Sequence, residues 1–446
     1  MATTRMKAMT IYFVAGEVSA DNHGAALMRS LRELDPGLTF IGRGGSQMQE
    51  VAGKSAIGRI RGGGQFKNWL GDAAVLGLWE VLRKYGYFRE QFRETLKEVL
   101  ESKPDAVVLI DYPGFNLRLA RALRRNISLQ PVRPAGLKPA ESDAAERISV
   151  GRTGHSPMFR PKIIYYISPQ VWAWNRGRIK EMARCLDLVL CIFPFESDLY
   201  NKSGLRAVFV GHPMIERLQG RKIDAERDPN LIGLFPGSRL REVRKIFPVM
   251  IEAARLLLKT TPRLRFEVAA ASEDLARELT TMLPSHLVKV IRITIGETAE
   301  IMQRAWAGMV ASGSATLEAA YFRLPFVLIY KVAWPTYLAG RAVVKVKYLG
   351  MPNLLADKEV VPEFIQHRAE PHRVADEMRI LVDDSIAREQ MISEFDMVIA
   401  RLGSGGASEK AAQTIIGELQ EARCPDRPGR LLPSQGYGEP RETAAP

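Results

Sequence analysis

Cysteine is scarce in this chain: three residues in 446, Cys185, Cys191 and Cys424. They lack metal-ligand spacing and cannot make an even disulfide framework, so they read as reduced thiols of a cytosolic protein. Long apolar runs are missing too. No stretch approaches the ~18 consecutive apolar residues that cross a bilayer. The opening MATTRMKAMTIYFVAGE passes from a short basic stretch straight into a strand pattern, with no h-region and no cleavage site. A soluble or surface-bound chain is expected. Several catalytic signatures are also absent: H-E-x-x-H, G-x-S-x-G, a full G-x-G-x-x-G, and a D-x-D pair at a strand end. Without the glycine fingerprint, dinucleotide binding is not indicated. Without the paired aspartates, a transferase that holds diphosphate through Mg²⁺ is disfavoured. No metal and no cofactor is expected, and positive charge for an anionic group must come from arginine and helix N-termini.

Acidic residues are outnumbered, leaving a net charge of +13. The excess is uneven, for residues 112–184 hold 14 Lys/Arg against 4 Asp/Glu. Such a segment suits nucleic acid, an anionic membrane face or phosphorylated substrates, or simply keeps the surface soluble. No RNA-binding aromatic pair or recognition-helix pattern accompanies it, so nucleic acid is not an expected partner. A composition of 46% hydrophobic and 25% charged residues is that of an ordinary globular protein, and the length calls for two or three domains.

Short apolar runs alternate with helical patterns, the signature of parallel sheets with crossover helices. Strands are expected at 10–15, 38–42, 105–110, 163–167, 186–192 and 207–210. After a polar linker at 220–230 the pattern restarts, with strands at 231–235, 265–270, 288–293, 307–311 and 326–330. The fold class is therefore α/β, in two units: 1–220, carrying a Pro/Gly/Ser/Arg-rich insertion at 126–161, and 231–420, followed by a disordered tail at 421–446. Residues 76–100 have helical apolar spacing. Just before them, Phe66, Trp69 and Leu70 sit on a glycine-loosened segment that would dip into a membrane, hold acyl chains, or pack into a core.

Four strand ends carry candidate chemistry. The first, IYFVAGEVSAD, places Gly16, Glu17, Ser19 and Asp21 where open α/β sheets bind ligands, although an ordinary turn with Asp21 as a cap fits as well. In PDAVVLIDYPG a buried strand ends at Asp111, positioned as a general base or as a capping residue. In LFPGSRLREV, Gly237 admits a close backbone approach, Ser238 and the helix start offer N–H groups, and Arg239 supplies a fork for phosphate; a structural turn is the alternative. The run ASGSATLEAA brings Ser312, Gly313 and Ser314 to a helix start, with Glu318 able to accept two ribose hydroxyls or to serve a cap. Farther on, Asn353 in a polar turn and Gln366 offer amides for sugar or phosphate oxygens. His212 either orients a phosphate or closes a strand.

In order along the chain, AGEVSADNHGA, VLGLWEVL, PDAVVLIDYPGFN, YYISPQVWAWNRGRIK, LVLCIFPFESDLY, FVGHPM, LFPGSR, ASGSATLEAA and MPNLLADKEVVPEFIQ resemble the lipid-A-disaccharide synthase family. The resemblance implies two Rossmann-like domains facing a cleft, the glycosyltransferase-B type. It implies an enzyme that joins UDP-2,3-diacylglucosamine to the 6-hydroxyl of 2,3-diacylglucosamine 1-phosphate (lipid X), releasing UDP in lipid A biosynthesis. By resemblance, Asp111 takes the acceptor proton and Arg239 steadies the departing diphosphate. Glu318 then holds the ribose, Gly237, Ser238, Ser312, Gly313 and Ser314 lie by the diphosphate, Asn353 and Gln366 line the cleft, and Glu17 and Ser19 face the acceptor. Expected partners are these two glycolipids and the anionic cytoplasmic face of the inner membrane, with a homodimer left open. Ala20, Gly114 and Ser314 depart from the family's usual glycine, aspartate and threonine, and the insertion has no counterpart. The alternative on a similar fold is a UDP-aminosugar 2-epimerase.

Overall fold

The computed structural model describes residues 9–53, 66–70, 85–129, 160–343 and 346–423. Seven strands, β1 (Thr10–Ala15), β2 (Thr39–Gly44), β3 (Phe66–Asn68), β4 (Ala106–Ile110), β5 (Lys162–Tyr166), β6 (Leu188–Cys191) and β7 (Ala207–Phe209), form one sheet in the order β3-β2-β1-β4-β5-β6-β7. Six more, β8 (Asp228–Phe235), β9 (Arg265–Ala270), β10 (Ile291–Ile295), β11 (Ala305–Ala311), β12 (Phe326–Tyr330) and β13 (Glu363–Ile365), form a second sheet in the order β10-β9-β8-β11-β12-β13. Neighbours run parallel in both sheets. Continuous apolar runs such as Ala106–Ile110, buried along their whole length, are what a parallel sheet covered on both faces requires.

Each sheet reverses direction once in its strand order, between β1 and β4 and between β8 and β11. In the first sheet the helix after β1, Val18–Leu34, packs Leu27, Met28 and Leu31 into one apolar layer. The helix after β4, Pro113–Leu129, packs Phe115, Leu119 and Leu123 into the layer on the other side. Diverging helices leave the carboxyl ends of β1 and β4 uncovered between them.

All the expected strands occur, with ends shifted by a few residues. β8 starts at Asp228, inside the stretch read as linker. The two edge strands β3 and β13, three residues each, are too short to leave a pattern. Of the expected helix at 76–100, the described part is Tyr85–Ser102; residues 71–84 lie outside the described residues, as do 130–159 of the expected insertion and 424–446 of the expected tail. The last helix, Ala407–Arg423, falls in the stretch assigned to the second unit, yet its Ala411, Ala412, Ile415 and Leu419 pack into the first sheet's core. Conversely, Met214, Ile215 and Leu218 of the helix after β7 join the second sheet's core. The chain thus crosses twice between the two bodies.

Phe66 and Trp69 do not present their rings to a membrane. Both side chains are buried, at 9% and 4% exposure, and the Trp69 indole Nε1 donates to the Ala15 carbonyl at 2.7 Å. Helix Tyr85–Ser102 is tied to the sheet edge by Arg43, fully buried on β2, which pairs with Glu98 at 2.7 Å and Glu94 at 2.9 Å while the Tyr12 hydroxyl donates to Glu98 at 2.7 Å. The guanidinium, with these bonds, holds the Glu98 carboxyl well below its usual range, down to about 2, against the opposing effect of burial.

The two most distinctive segments, SPQVWAW and PFE, meet in the interior. Glu196 is fully buried, accepting from the Trp172 indole Nε1 at 2.9 Å and from the Phe193 amide at 3.3 Å. Burial pushes its carboxyl up to about 7. The folded state therefore favours the protonated acid: the contribution to stability is full below the unfolded carboxyl's range and is lost as pH rises through about 7. Denaturant titration from pH 5 to pH 8 is expected to show a fall that Glu196→Gln reduces by on the order of 2–3 kcal/mol. An unchanged pH slope in the variant would show that the carboxyl does not titrate in this window.

Candidate active site

The Asp111 backbone sits where the chain leaves β4, with φ at 47° and Tyr112 following at 50°. Two successive non-glycine residues in the left-handed region are costly and persist only where surroundings enforce them. Here the Asp111 carbonyl accepts from the Tyr165 hydroxyl at 2.5 Å and from the Asn116 side-chain amide at 2.7 Å, and its amide donates to the Tyr166 carbonyl at 3.1 Å. The backbone is thus clamped from the next strand and the next helix, and the residue itself is half-buried. Burial raises its pKa, and the negative charge of Glu17 raises it further, while the Tyr112 amide opposes both. The structure therefore brings Glu17, at the end of β1, and Asp111, at the end of β4, to the same reversal point.

Gly16 makes this approach feasible. A Cβ there would lie 2.3 Å from the Tyr112 ring. Glu17, the residue before the helix Val18–Leu34, and Ser19 in its first turn are exposed beside it. Asp21 turns away from the strand ends. Buried, it accepts from the amides of Gly45 at 2.8 Å, Gln47 at 3.0 Å and Met48 at 3.0 Å, capping the helix Ser46–Gly53.

On the second sheet, β8 and β11 lie side by side with Phe235 opposite Val310, so Gly237–Arg239 and Ser312–Ser314 emerge together. Gly237 has φ of 103° and Gly313 of 146°, conformations that L side chains rarely adopt. Each turn leads into a helix start, Leu240–Thr260 and Ser314–Tyr321, without a side-chain cap. Uncapped N–H groups at two adjacent helix starts are donors of the kind that can meet an anion. Arg239 stands beside them with its side chain 74% exposed and only a loose partner, Glu242 at 3.1 Å. Ser238, Gly313 and Ser314 are exposed and Ser312 half-buried.

The Glu318 carboxylate lies 2.7 Å from Arg217. Nothing in the sequence marked Arg217, which follows His212 by five residues on the helix Pro213–Gln219. Its charge, after burial, helps hold His23 and His212 near pKa 4, so both imidazoles are neutral at physiological pH. His212 caps its own helix, Nδ1 accepting from the Met214 amide at 3.2 Å.

Asn353 and Gln366 are not free amides. Asn353, fully buried in the helix Met351–Ala356, donates to the Val361 carbonyl at 2.8 Å and to Glu363 at 2.9 Å and accepts from Val360 and Val361 at 2.7 and 2.8 Å. Gln366 accepts from the Val332 amide at 2.7 Å and donates to its carbonyl at 3.1 Å. Both tether the loops beyond β12 and β13. The sequence could signal polar residues in a turn but not which way their amides face.

Two Rossmann-like α/β bodies in one chain, each with its uncovered strand ends carrying polar loops, are the glycosyltransferase-B architecture. The chain belongs to the lipid-A-disaccharide synthetase family, whose model matches residues 11–132 and 149–415. Among relatives, the lipid-A-disaccharide synthase of Geobacter sulfurreducens is 34% identical over 414 residues, covering 91% of this chain and 96% of its own. That of Myxococcus xanthus is 32% identical over 421 residues, covering 93% and 98%. Among solved structures, UDP-GlcNAc 2-epimerase from Neisseria meningitidis bound to UDP-GlcNAc is similar with a TM-score of 0.52 at 11% identity, covering 92% of this chain and 100% of its own. The glycotransferase of kitacinnamycin matches at a TM-score of 0.52 and 12% identity, covering 92% and 99%. These structural likenesses are of fold alone, so the epimerase alternative rests on fold.

Asn353→Ala is expected to lower unfolding stability by on the order of 3 kcal/mol, because the buried Val360 and Val361 amides lose their acceptor. Chemical denaturation measures the loss. UDP affinity of the folded variant, by calorimetry, is expected to be unchanged; a selective loss of UDP binding at normal stability would make Asn353 a ligand contact instead.

Proposed function

We propose that the chain transfers 2,3-diacylglucosamine from UDP-2,3-diacylglucosamine to the 6-hydroxyl of lipid X by a single inverting displacement. The observation that carries the reading is the pair of reversal points: a carboxylate of raised pKa on one sheet, and two uncapped helix starts with an exposed arginine on the other. Family membership supports the same activity.

In this reaction Asp111 accepts the proton of the acceptor hydroxyl as its oxygen bonds to the donor's anomeric carbon. The bond from that carbon to the diphosphate oxygen breaks, and UDP leaves with the electron pair. A carboxylate partly withdrawn from water and facing a second carboxylate is a stronger base than a solvated one. Charge growing on the leaving diphosphate is met by Arg239 and by the N–H groups at Gly237–Arg239 and Ser312–Ser314, which need no reorganisation. Glu318 would hold the ribose by exchanging part of its bond to Arg217. We place the reaction at the cytoplasmic face of the inner membrane. The basic 112–184 segment supports attraction to an anionic surface, and no helix among the described residues is long and apolar enough to cross a membrane.

Incubation with UDP-2,3-diacylglucosamine and lipid X, with products read by mass spectrometry, is expected to give a disaccharide 1-phosphate and UDP in equal amounts. A manno-configured sugar nucleotide formed without acceptor would support epimerisation and overturn the proposal. Asp111→Asn is expected to lower kcat by ~10²–10⁴-fold, the usual worth of general base catalysis, with UDP affinity retained. The basic form is the active one, so activity falls as pH drops through the Asp111 pKa. Glu17→Gln removes a charge that raises that pKa, so the acidic limb of the kcat/KM profile should move to lower pH. A shift to higher pH, or none, would separate Glu17 from the base.

A further inference from the structure

One residue past Asp111 the first body opens into a cavity of about 500 Å³. Its described walls are mainly aromatic: Tyr112 from the turn after β4, Phe115 from the helix Pro113–Leu129, and Phe88 and Phe92 from the helix Tyr85–Ser102. The rings support one another, with Phe92 and Phe115 centroids 5.6 Å apart and Tyr112 stacked on Phe115 at 6.1 Å. Behind them Trp69 packs edge-on to Phe115 at 5.2 Å, held by its bond to the Ala15 carbonyl. The far wall is rigid because Arg43, through Glu98 and Glu94, clamps its helix to the sheet. The volume lies within the ~300–1,000 Å³ of small-ligand sites.

Two features say what belongs there. Arg89 and Arg118, one from each wall helix, line the cavity and are exposed, and neither has a carboxylate partner among the described residues. An apolar chamber with two exposed guanidinium groups at its walls matches a molecule that is aliphatic at one end and anionic at the other. Gly114 also lines the cavity, and a Cβ placed on it would meet nothing within 4 Å. The described residues therefore leave room for a side chain at this position, and glycine leaves that room to the chamber.

We infer that this cavity takes one acyl chain of the acceptor sugar phosphate, with Arg89 and Arg118 drawing its phosphate to the rim and Gly114 setting how long a chain fits. The inference rests on the proposed function, since it is the base role of Asp111 that makes the adjoining cavity an acceptor site rather than a donor one. The donor's diphosphate surface belongs to the other sheet. Burying an acyl chain beside Asp111 would fix the sugar's reach to the carboxylate, with each additional methylene worth roughly a fourfold gain in binding.

The test is the ratio of kcat/KM for long-chain over short-chain acceptors, measured with one donor. Gly114→Leu is expected to lower that ratio by on the order of tenfold, the equivalent of one or two excluded methylenes, and Gly114→Ala by much less. Arg89→Ala with Arg118→Ala should raise KM for the phosphorylated acceptor more than for its dephosphorylated form. An unchanged ratio in Gly114→Leu at normal melting behaviour overturns the assignment. So does a change in donor chain preference in place of acceptor preference. Sedimentation with anionic phospholipid vesicles separates the remaining source: if Gly114→Leu weakens vesicle binding as much as it lowers the ratio, the cavity holds a bilayer lipid and the inference fails. Calorimetric titration with the acceptor alone reads the cavity without turnover. If the wild-type protein made no disaccharide yet bound long-chain acceptor in a Gly114→Leu-sensitive way, the transfer reading would fail and the cavity assignment stand.

Discussion

A right-handed crossover sends the helix after β1 and the helix after β4 to opposite faces of the first sheet, and the carboxyl ends of those strands are left uncovered between them. The second sheet reverses its strand order at β8 and β11 in the same manner. Polar side chains at these two gaps remain partly exposed while standing on a scaffold buried on both faces. Asp111 depends on this: it is near enough to the core for burial to raise its pKa, yet it extends beyond the last ladder bond.

The two gaps differ in electrostatic sense. At the first, Glu17 and Asp111 put two carboxylates close together, which strengthens a base and repels an anion. At the second, helix starts and Arg239 gather positive potential without a carboxylate in the turns themselves. A reaction that moves a proton at one place and expels a diphosphate at another needs this separation. The reciprocal packing of the helices Pro213–Gln219 and Ala407–Arg423 ties each sheet to the other's chain segment, and Arg217 on the first of these helices pairs with Glu318.

Residue chemistry and its location parted company in instructive places. Asp111, Gly237, Arg239 and the Ser312–Ser314 turn could be read as strand-end groups because an apolar run followed by Pro or Gly is a local signal. Asp21 follows an equally inviting strand end, yet it lies in the first turn of the helix Val18–Leu34 and its carboxylate caps another helix. Trp69 and Phe66 look membrane-seeking in a glycine-rich lead-in, but the exposed edge of β2 gave them a place to bury. Asn353 and Gln366 look like sugar contacts until the unpaired amides of neighbouring loops are counted, and those amides claim them first. In each case a long-range backbone group competed for the side chain, and sequence spacing carries no information about such groups.

The amino-acid order by itself determined that there are two parallel α/β bodies, where most strands run, and which turns carry glycine, arginine and carboxylate, because these follow from local hydrophobic period and turn chemistry. Only the tertiary structure decided that both sets of turns fall at reversal points, that Glu17 and Asp111 share one, that Arg217 meets Glu318, and that an aromatic chamber opens beside the carboxylate. Those facts depend on which strands become neighbours and where a chain returns. That choice is made by burial of whole faces and by crossover handedness, summed over segments far apart in the chain.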